Sequence, residues 1–402
     1  MVGDASLLYE WTGSDPTLDP VVLIAHLDVV PVSKEQAAQW QRAPFGGEVV
    51  GGEVWGRGAL DVKGRVVAHL AAVEALLAAG KRPRRTVYLA YGHDEEIGGR
   101  DGAVAMAAEV EQRLGGRRVA AVLDEGGAVT SGGVPGLKME GAMVGTAEKG
   151  YAAVEFSASG RGGHAAWPPW DGSPATAVAR ALAVAHERPP APRLTEPVEQ
   201  MLRRAAPLMG EPHRTLFSSV DLLRPVIARL FTATTPKANA LVRTTATATR
   251  LAGGEKDNVI PSSARAVLNV RILPGESVAQ MLARMQALAA PFNVTAALQP
   301  NAIVNEPTPT SPIGPEVAAW AALERSFHRV YGFEEIVVLP YVMLGQTDSK
   351  HFVRLADAVY RMGQRLSEAQ IATIHGVDER ESAEGVAEQQ LLFESFLELF
   401  CL

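Results

Sequence analysis

Short, almost wholly apolar runs alternate with amphipathic stretches along the first third of the chain. Residues 20–25, 86–91 and 118–123 have the pattern of strands buried on both faces. Between them, 61–79 reads as an Ala-rich helix stopped by Gly80, and 102–114 as a second helix. The Gly-rich stretch 49–55 reads as a hairpin. Strands alternating with helices imply crossover connections, hence an α/β domain built on a mostly parallel sheet with flanking helices.

The pattern changes near residue 150. Residues 151–159, 242–251 and 264–272 alternate apolar and polar positions, as in a sheet with one wet face. Stretches 173–186 and about 196–230 read as helical. The expectation is a separate α+β domain over 150–300, inserted into an α/β domain formed by 1–149 and 301–402. The last part carries a helix over 314–331, strands near 335–339 and 356–362, and a helix from 382.

Composition narrows the classes. The chain has 402 residues, enough for two to three domains, with 47% hydrophobic and 21% charged residues, ordinary for a globular protein. A net charge of −7 argues against nucleic acid as a partner. No apolar run reaches the roughly 18 residues that span a bilayer; the longest, 66–79, is broken by His69 and Glu74. A single cysteine, Cys401, excludes a disulfide framework and a thiolate zinc cluster. The first residues show neither a charged n-region nor an apolar h-region, so a cytoplasmic location is expected. A secreted or periplasmic location would follow from a leader lost ahead of Met1. The basic cluster 81–85 reads as a solvated turn.

The chemistry gathers where a parallel sheet collects ligands, at the carboxyl ends of its strands. His26-Leu27-Asp28 follows the first buried run, His93-Asp94-Glu95-Glu96 the second and Asp124-Glu125-Gly126-Gly127 the third. Gly56-Arg57-Gly58-Ala59-Leu60-Asp61 opens a helix, and His375 follows the 356–362 strand. Carboxylates brought together repel unless a cation neutralises them. Two imidazoles with three carboxylates suit zinc, cobalt or manganese, and two such ions roughly 3.5–4 Å apart form a hydrolytic site. His26 and Asp28 project to one side of extended chain, so Asp28 can hold the non-ligating ring N–H of His26. Asp61 at a glycine-rich turn is free to bridge. Glu95 and Glu96 are adjacent and must differ, one as ligand and the other as general base. There is no Gly-x-Ser-x-Gly elbow and no Gly-Lys-Ser/Thr phosphate loop.

In this order the motifs resemble the zinc aminoacylase/carboxypeptidase metallopeptidases, the family of carboxypeptidase S, glutamate carboxypeptidase, aminoacylase-1 and succinyl-diaminopimelate desuccinylase. The matching stretches are Ala25-His26-Leu27-Asp28, Gly56–Gly64, His93–Gly99, Leu123-Asp124-Glu125-Gly126, Gly162-Gly163-His164-Ala165 and Ile374-His375-Gly376. Thr347-Asp348-Ser349-Lys350-His351-Phe352 and Asn239–Thr245 look most like the carboxypeptidase S branch. The resemblance implies an α/β catalytic domain with an inserted lid and dimerisation domain. It implies two divalent ions, most often zinc, bridged by Asp61. His26 and Asp124 would complete one shell, Glu96 and His375 the other. Glu95 would be the general base, with Asp28 behind His26. His164 would donate to the oxyanion, Arg271 would grip a substrate carboxylate, and Asn258 would line that pocket. The implied reaction is hydrolysis of an amide beside a free carboxylate, in a small peptide or N-acyl amino acid, by a homodimer paired through the inserted domain. The implied peptide bond after Asp61 is cis. The alternative is a catalytically silent homologue on the same scaffold; its mark would be loss of a ligand or of Glu95, and none is lost. His351 competes with His375 as last ligand, and His375 is favoured because it lies in a loop after a strand. His93 reads as orienting its loop, and His69, His186, His213 and His328 as ordinary helix or surface residues.

Overall fold

The computed structural model describes all residues, 1–402. Its contacts divide the chain into two compact units: Met1–Ala147 with Gln200–Ser219 and Thr310–Leu402, and Glu148–Glu199 with Val220–Pro309.

The first unit is built on a mixed sheet. Its order is Leu7–Trp11, Val87–Gly92, Val21–His26, Ala121–Asp124, Val359–Arg361, Glu140–Glu148, Ile336–Met343. The four central strands Val87–Gly92 through Val359–Arg361 are parallel, and every residue of these four is buried. Burial on both faces is why they read as continuous apolar runs. Leu7–Trp11 joins one side antiparallel, and Glu140–Glu148 pairs antiparallel with Val359–Arg361. Helices Gly64–Ala78, Ala318–Tyr331 and Ala383–Phe400 cover one face, burying Leu76, Trp320, Leu323, Phe327, Phe393 and Phe396 with Leu23 and Leu89. Helix Ala103–Leu114 covers the other, where Met106 and Val110 meet Val22, Ile24 and Phe352.

A three-stranded ribbon lies outside this sheet. Glu48–Val50 pairs with Glu53–Trp55, and Glu53–Trp55 pairs with Arg380–Ser382, with Arg380 opposite Trp55. It brings the segment before Asp61 alongside the segment after His375.

The second unit has an antiparallel sheet ordered Thr245–Ala252, Ser263–Ile272, Gly150–Ser159, Thr295–Leu298, with Val304–Asn305 also on Gly150–Ser159. Helices Pro174–Glu187 and Val278–Ala289 bury its inner face, where Val154, Phe156, Leu268 and Val270 meet Val178 and Met281. Each helix starts at a serine cap, Ser173 and Ser277, whose side chain accepts from the N3 amide.

The unit boundaries differ from the expected 150 and 300. Residues 200–219 belong with the first unit. Leu202, Ala205, Ala206 and Met209 are buried there, Met209 bridges to Leu137, and Arg204 lies over the Trp320 ring at 5.6 Å. Residues 301–309 stay with the second, because Val304 and Asn305 pair with Ala152 and Tyr151. The expected long helix over 196–230 is several: Glu196–Ala205, Ala206–Leu208, His213–Ser218 and Val220–Thr234. Pro207, Gly210 and Pro212 interrupt it.

Candidate metal centre

Four strand-end or loop segments of the first unit converge. His26 ends its strand, with its side chain 2% exposed. Its Nδ1 donates to the Asp28 carbonyl at 3.0 Å and lies 3.4 Å from Asp28 Oδ1. That fixes Nε2 toward the cluster, where it meets Asp61 Oδ1 at 3.1 Å and Glu125 Oε1 at 3.3 Å. His375 Nε2 meets Asp61 Oδ2 at 3.0 Å and Glu96 Oε1 at 3.1 Å. The two oxygens of Asp61 therefore face two different imidazole nitrogens. Ligand atoms of His26, Asp61 and Glu96 lie within 4.8 Å of one another, as do those of His26, Glu95 and Glu125. The Asp61–Val62 peptide bond is cis.

Carboxylates here fall into two kinds. One kind is occupied by backbone amides. Asp28 accepts from Glu95 N (3.1 Å) and Glu96 N (3.0 Å), so it holds the acidic loop as well as His26. Asp94 accepts from Asp101 N and Gly102 N. The other kind, Asp61, Glu96 and Glu125, meets imidazole nitrogens, and Glu95 lies beside it.

Asp124, expected as a ligand of the first ion, belongs to the first kind. It is 1% exposed, and its carboxylate accepts from Glu125 N and Ser349 N, both at 2.8 Å. Register gives the reason. Leu23 pairs with Leu123, so Asp124 is level with Ile24, two residues inside the edge where His26 sits. Glu125, one residue further on, reaches His26 instead. Of the two candidates for last ligand, His351 donates from Nε2 to the Gly98 carbonyl at 3.0 Å, whereas His375 reaches Asp61 and Glu96. His93 bonds Ser6 Oγ at 2.7 Å.

The electrostatics show an acidic cluster short of positive charge. Burial, then the charges of Glu125 and Asp348, pushes the Glu95 carboxyl up to about 9. Burial likewise raises Glu125 to about 7, against the pull of His26. For Asp61, hydrogen bonds from His26 and His375 outweigh burial and hold it well below the carboxylate range. Bonds to Asp61 and Glu96 raise His375 to about 10. Burial disfavours a charged His26, but Glu125, Asp28 and Asp61 together overcome it and keep the ring protonated. Asp348, 1% exposed with neither oxygen hydrogen-bonded, is raised by burial to about 8.

These observations fit a divalent cation. The carboxylates crowding both imidazoles raise their proton affinity, and a cation would compete with protons for the same Nε2 atoms. The donors are nitrogen and carboxylate oxygen with no thiolate, the set that suits zinc, cobalt or manganese.

His164, Asn258 and Arg271 lie in the second unit. The two-residue strands Gly163–His164 and Val259–Ile260 form a ribbon, and Ala165 N donates to the Asn258 carbonyl. His164 is exposed; its ring stacks on Trp167 at 4.8 Å, and Nδ1 accepts from Ala166 N at 3.1 Å. Arg271 lies on Ser263–Ile272, its guanidinium over the Tyr151 ring at 4.8 Å and its Nε donating to Asn269 Oδ1.

A family model described as peptidase family M20/M25/M40 matches residues 22–398. The chain belongs to this family. As an M20 member it is a metal-dependent hydrolase of peptide or related amide bonds. Among relatives, N-fatty-acyl-amino acid synthase/hydrolase PM20D1 of Xenopus tropicalis is 34% identical over 402 residues, covering 99% of this chain and 75% of that protein. Carboxypeptidase S of Saccharomyces cerevisiae is 29% identical over 430 residues, covering 96% and 72%. The M20 family metallo-carboxypeptidase Sso-CP2 from Sulfolobus solfataricus superposes with a TM-score of 0.69 at 18% identity, over 98% of this chain and 87% of that one, and so shares the fold. No helix is long and apolar enough to cross a membrane.

Proposed function

We propose that this M20 chain is a two-metal hydrolase that cleaves an amide beside a free carboxylate, acting on N-acyl amino acids or small peptides. The observation that carries the reading is the pair of Asp61 oxygens, one on His26 and the other on His375. His26, Asp61 and Glu125 would hold one ion; His375, Glu96 and Asp61 the other. Zinc is the first choice, with cobalt or manganese also compatible with the donors. When bound, the ions supply positive charge that acidifies water and polarises the scissile carbonyl.

The chain's own residues do the rest. Glu95 takes a proton from the attacking water and delivers it to the departing amine. Its environment suits that task, since burial and neighbouring acids raise its proton affinity, and a bound cation would bring it back toward neutrality. Asp28 keeps the Glu95–Glu96 loop and the His26 ring in place. Arg271 offers a planar fork to a substrate carboxylate. His164 donates to the developing oxyanion, a contact stronger in the transition state than in the ground state, and serves a partner's centre if the second units pair as a homodimer. Asn258 lines the carboxylate pocket.

The names of the relatives support a substrate of this kind, an amino acid bearing an acyl or aminoacyl group on nitrogen. The test is a hydrolysis panel of N-acyl amino acids, from short to fatty acyl, and dipeptides, each with its carboxylate free or amidated, with added zinc, cobalt or manganese. Free-carboxylate substrates should release amine and amidated ones should be poor. Equal rates on both, or no metal dependence, would refute the reading.

A further inference from the structure

Asp61 and His375 lie 314 positions apart in the chain, yet their side chains meet at 3.0 Å. One buried ion pair spans the two loops that carry them. Glu379 is fully buried and Arg57 is 4% exposed, and Arg57 Nη1 donates to Glu379 Oε2 at 2.5 Å. The other Glu379 oxygen, Oε1, accepts three backbone amides of the Asp61 loop: Gly58 N at 2.9 Å, Leu60 N at 3.1 Å and Asp61 N at 3.1 Å. Arg57 reaches the opposite way. Its Nη2 donates to the carbonyls of His375 (3.1 Å) and Gly376 (3.0 Å). Thus the residue next to the Asp61 loop grips the His375 loop, and the residue just past His375 grips the Asp61 loop.

The surroundings support the same role. Gly56 N donates to the Glu379 carbonyl at 2.9 Å, continuing the pairing of Arg380–Ser382 with Glu53–Trp55 up to the site. His375 has φ +59°, a left-handed backbone that a non-glycine residue holds only when its neighbours impose it. Arg57 supplies that constraint at the His375 carbonyl itself. The guanidinium packs over the Trp40 ring at 5.4 Å, which keeps its plane fixed. A buried ion pair gives little net stability over apolar side chains of the same size, so its presence here asks for another explanation.

We propose that Arg57 and Glu379 are positioning residues that set the spacing between Asp61 and His375, and so govern affinity for the ion these two share with Glu96. This rests on the two-metal reading of the site. His26 and Glu125 are hydrogen-bonded to neither member of the pair, but Asp61 is shared by both ions, so Glu379, which holds the Asp61 loop, bears on both sites, whereas Arg57, which holds the His375 carbonyl, bears on the second alone.

The test is stepwise zinc binding to the full chain, measured by competition with a chromophoric chelator, for wild type, Glu379→Gln and Arg57→Lys. Lysine keeps the charge but lacks the fork that reaches two carbonyls. Folded Arg57→Lys should bind one zinc as wild type does and the second about 10–100-fold more weakly, the usual effect of losing a partner that orients a ligand, while Glu379→Gln should weaken both, because it frees the loop of the shared ligand Asp61. Two zinc sites of unchanged affinity in both variants, or both sites weakened alike in Arg57→Lys, would overturn the proposal. So would loss of folding in both variants, which would make the pair a folding element. A wild type that binds no zinc, cobalt or manganese would instead refute the two-metal reading itself.

Discussion

His69 offers a quantitative test of the core beneath the site. It lies on helix Gly64–Ala78, fully buried, with its ring 4.2 Å from that of Phe393 and 6.0 Å from that of Tyr91. Neither ring nitrogen has a hydrogen-bond partner. Burial, then the charge of Arg65 one turn earlier, pulls its pKa well below 6.5, so the folded chain holds it neutral. Below about pH 6.5 the unfolded chain binds a proton at His69 and the folded chain does not, so stability falls as the pH is lowered. Each pH unit over which only the unfolded chain binds this proton lowers stability by about 1.4 kcal/mol. His69→Leu, of similar volume, removes both the titration and the unpartnered nitrogens. The variant should be about 1–3 kcal/mol more stable at pH 7.5, with the gap widening as pH falls. Urea unfolding of both proteins from pH 7.5 to 4.5, followed by tryptophan fluorescence, reads this directly, since Trp320 lies in the same core. Every other titrating group cancels in the difference. A gap that stays constant with pH would show that the folded chain accepts the proton, and would refute the reasoning.

Other outcomes concern the site itself. Glu95→Gln should keep its metal and lose about 10²–10⁴ in kcat; metal analysis and amine release on one sample check both, and a nearly intact kcat would remove the base assignment. Glu125→Gln should lose one ion, whereas Asp124→Asn should retain both and melt at lower temperature, because its carboxylate serves the amides of Glu125 and Ser349; equal metal loss in both would restore Asp124 as ligand. Arg271→Lys should raise KM for free-carboxylate substrates and leave amidated ones unchanged; equal effects on both would argue against carboxylate recognition.

The central strands were legible because burial on both faces leaves an unbroken apolar run, as in Val21–His26 and Val87–Gly92. Glu140–Glu148 was not, since its Gly and Thr positions blur any period. The breaks within 196–230 were written locally in Pro207, Gly210 and Pro212, but the amphipathic pattern across them masks the interruptions. His26, Asp61 and Glu96 stand out as candidates because each sits at or just past a strand end or a glycine turn; His375 stands out only as a loop residue, since the helix Glu368–Ile371 separates it from the strand Val359–Arg361. The choice between Asp124 and Glu125 does not show, because it depends on a two-residue difference in strand depth that only register reveals. Arg57 and Glu379 lie in or beside recognisable motifs, yet their pairing crosses 322 positions and has no local signature. His69 carries no sign in its neighbours that both its nitrogens are left unpaired.

The central claim, a two-metal centre that hydrolyses amides, is tested most directly by titrating metal-free protein with zinc while following amine release from an N-acyl amino acid. The account predicts no activity without metal and a rate that levels off at two zinc ions per chain. Activity in the metal-free protein, or a chain that binds two zinc ions and hydrolyses no member of the substrate panel, would contradict it.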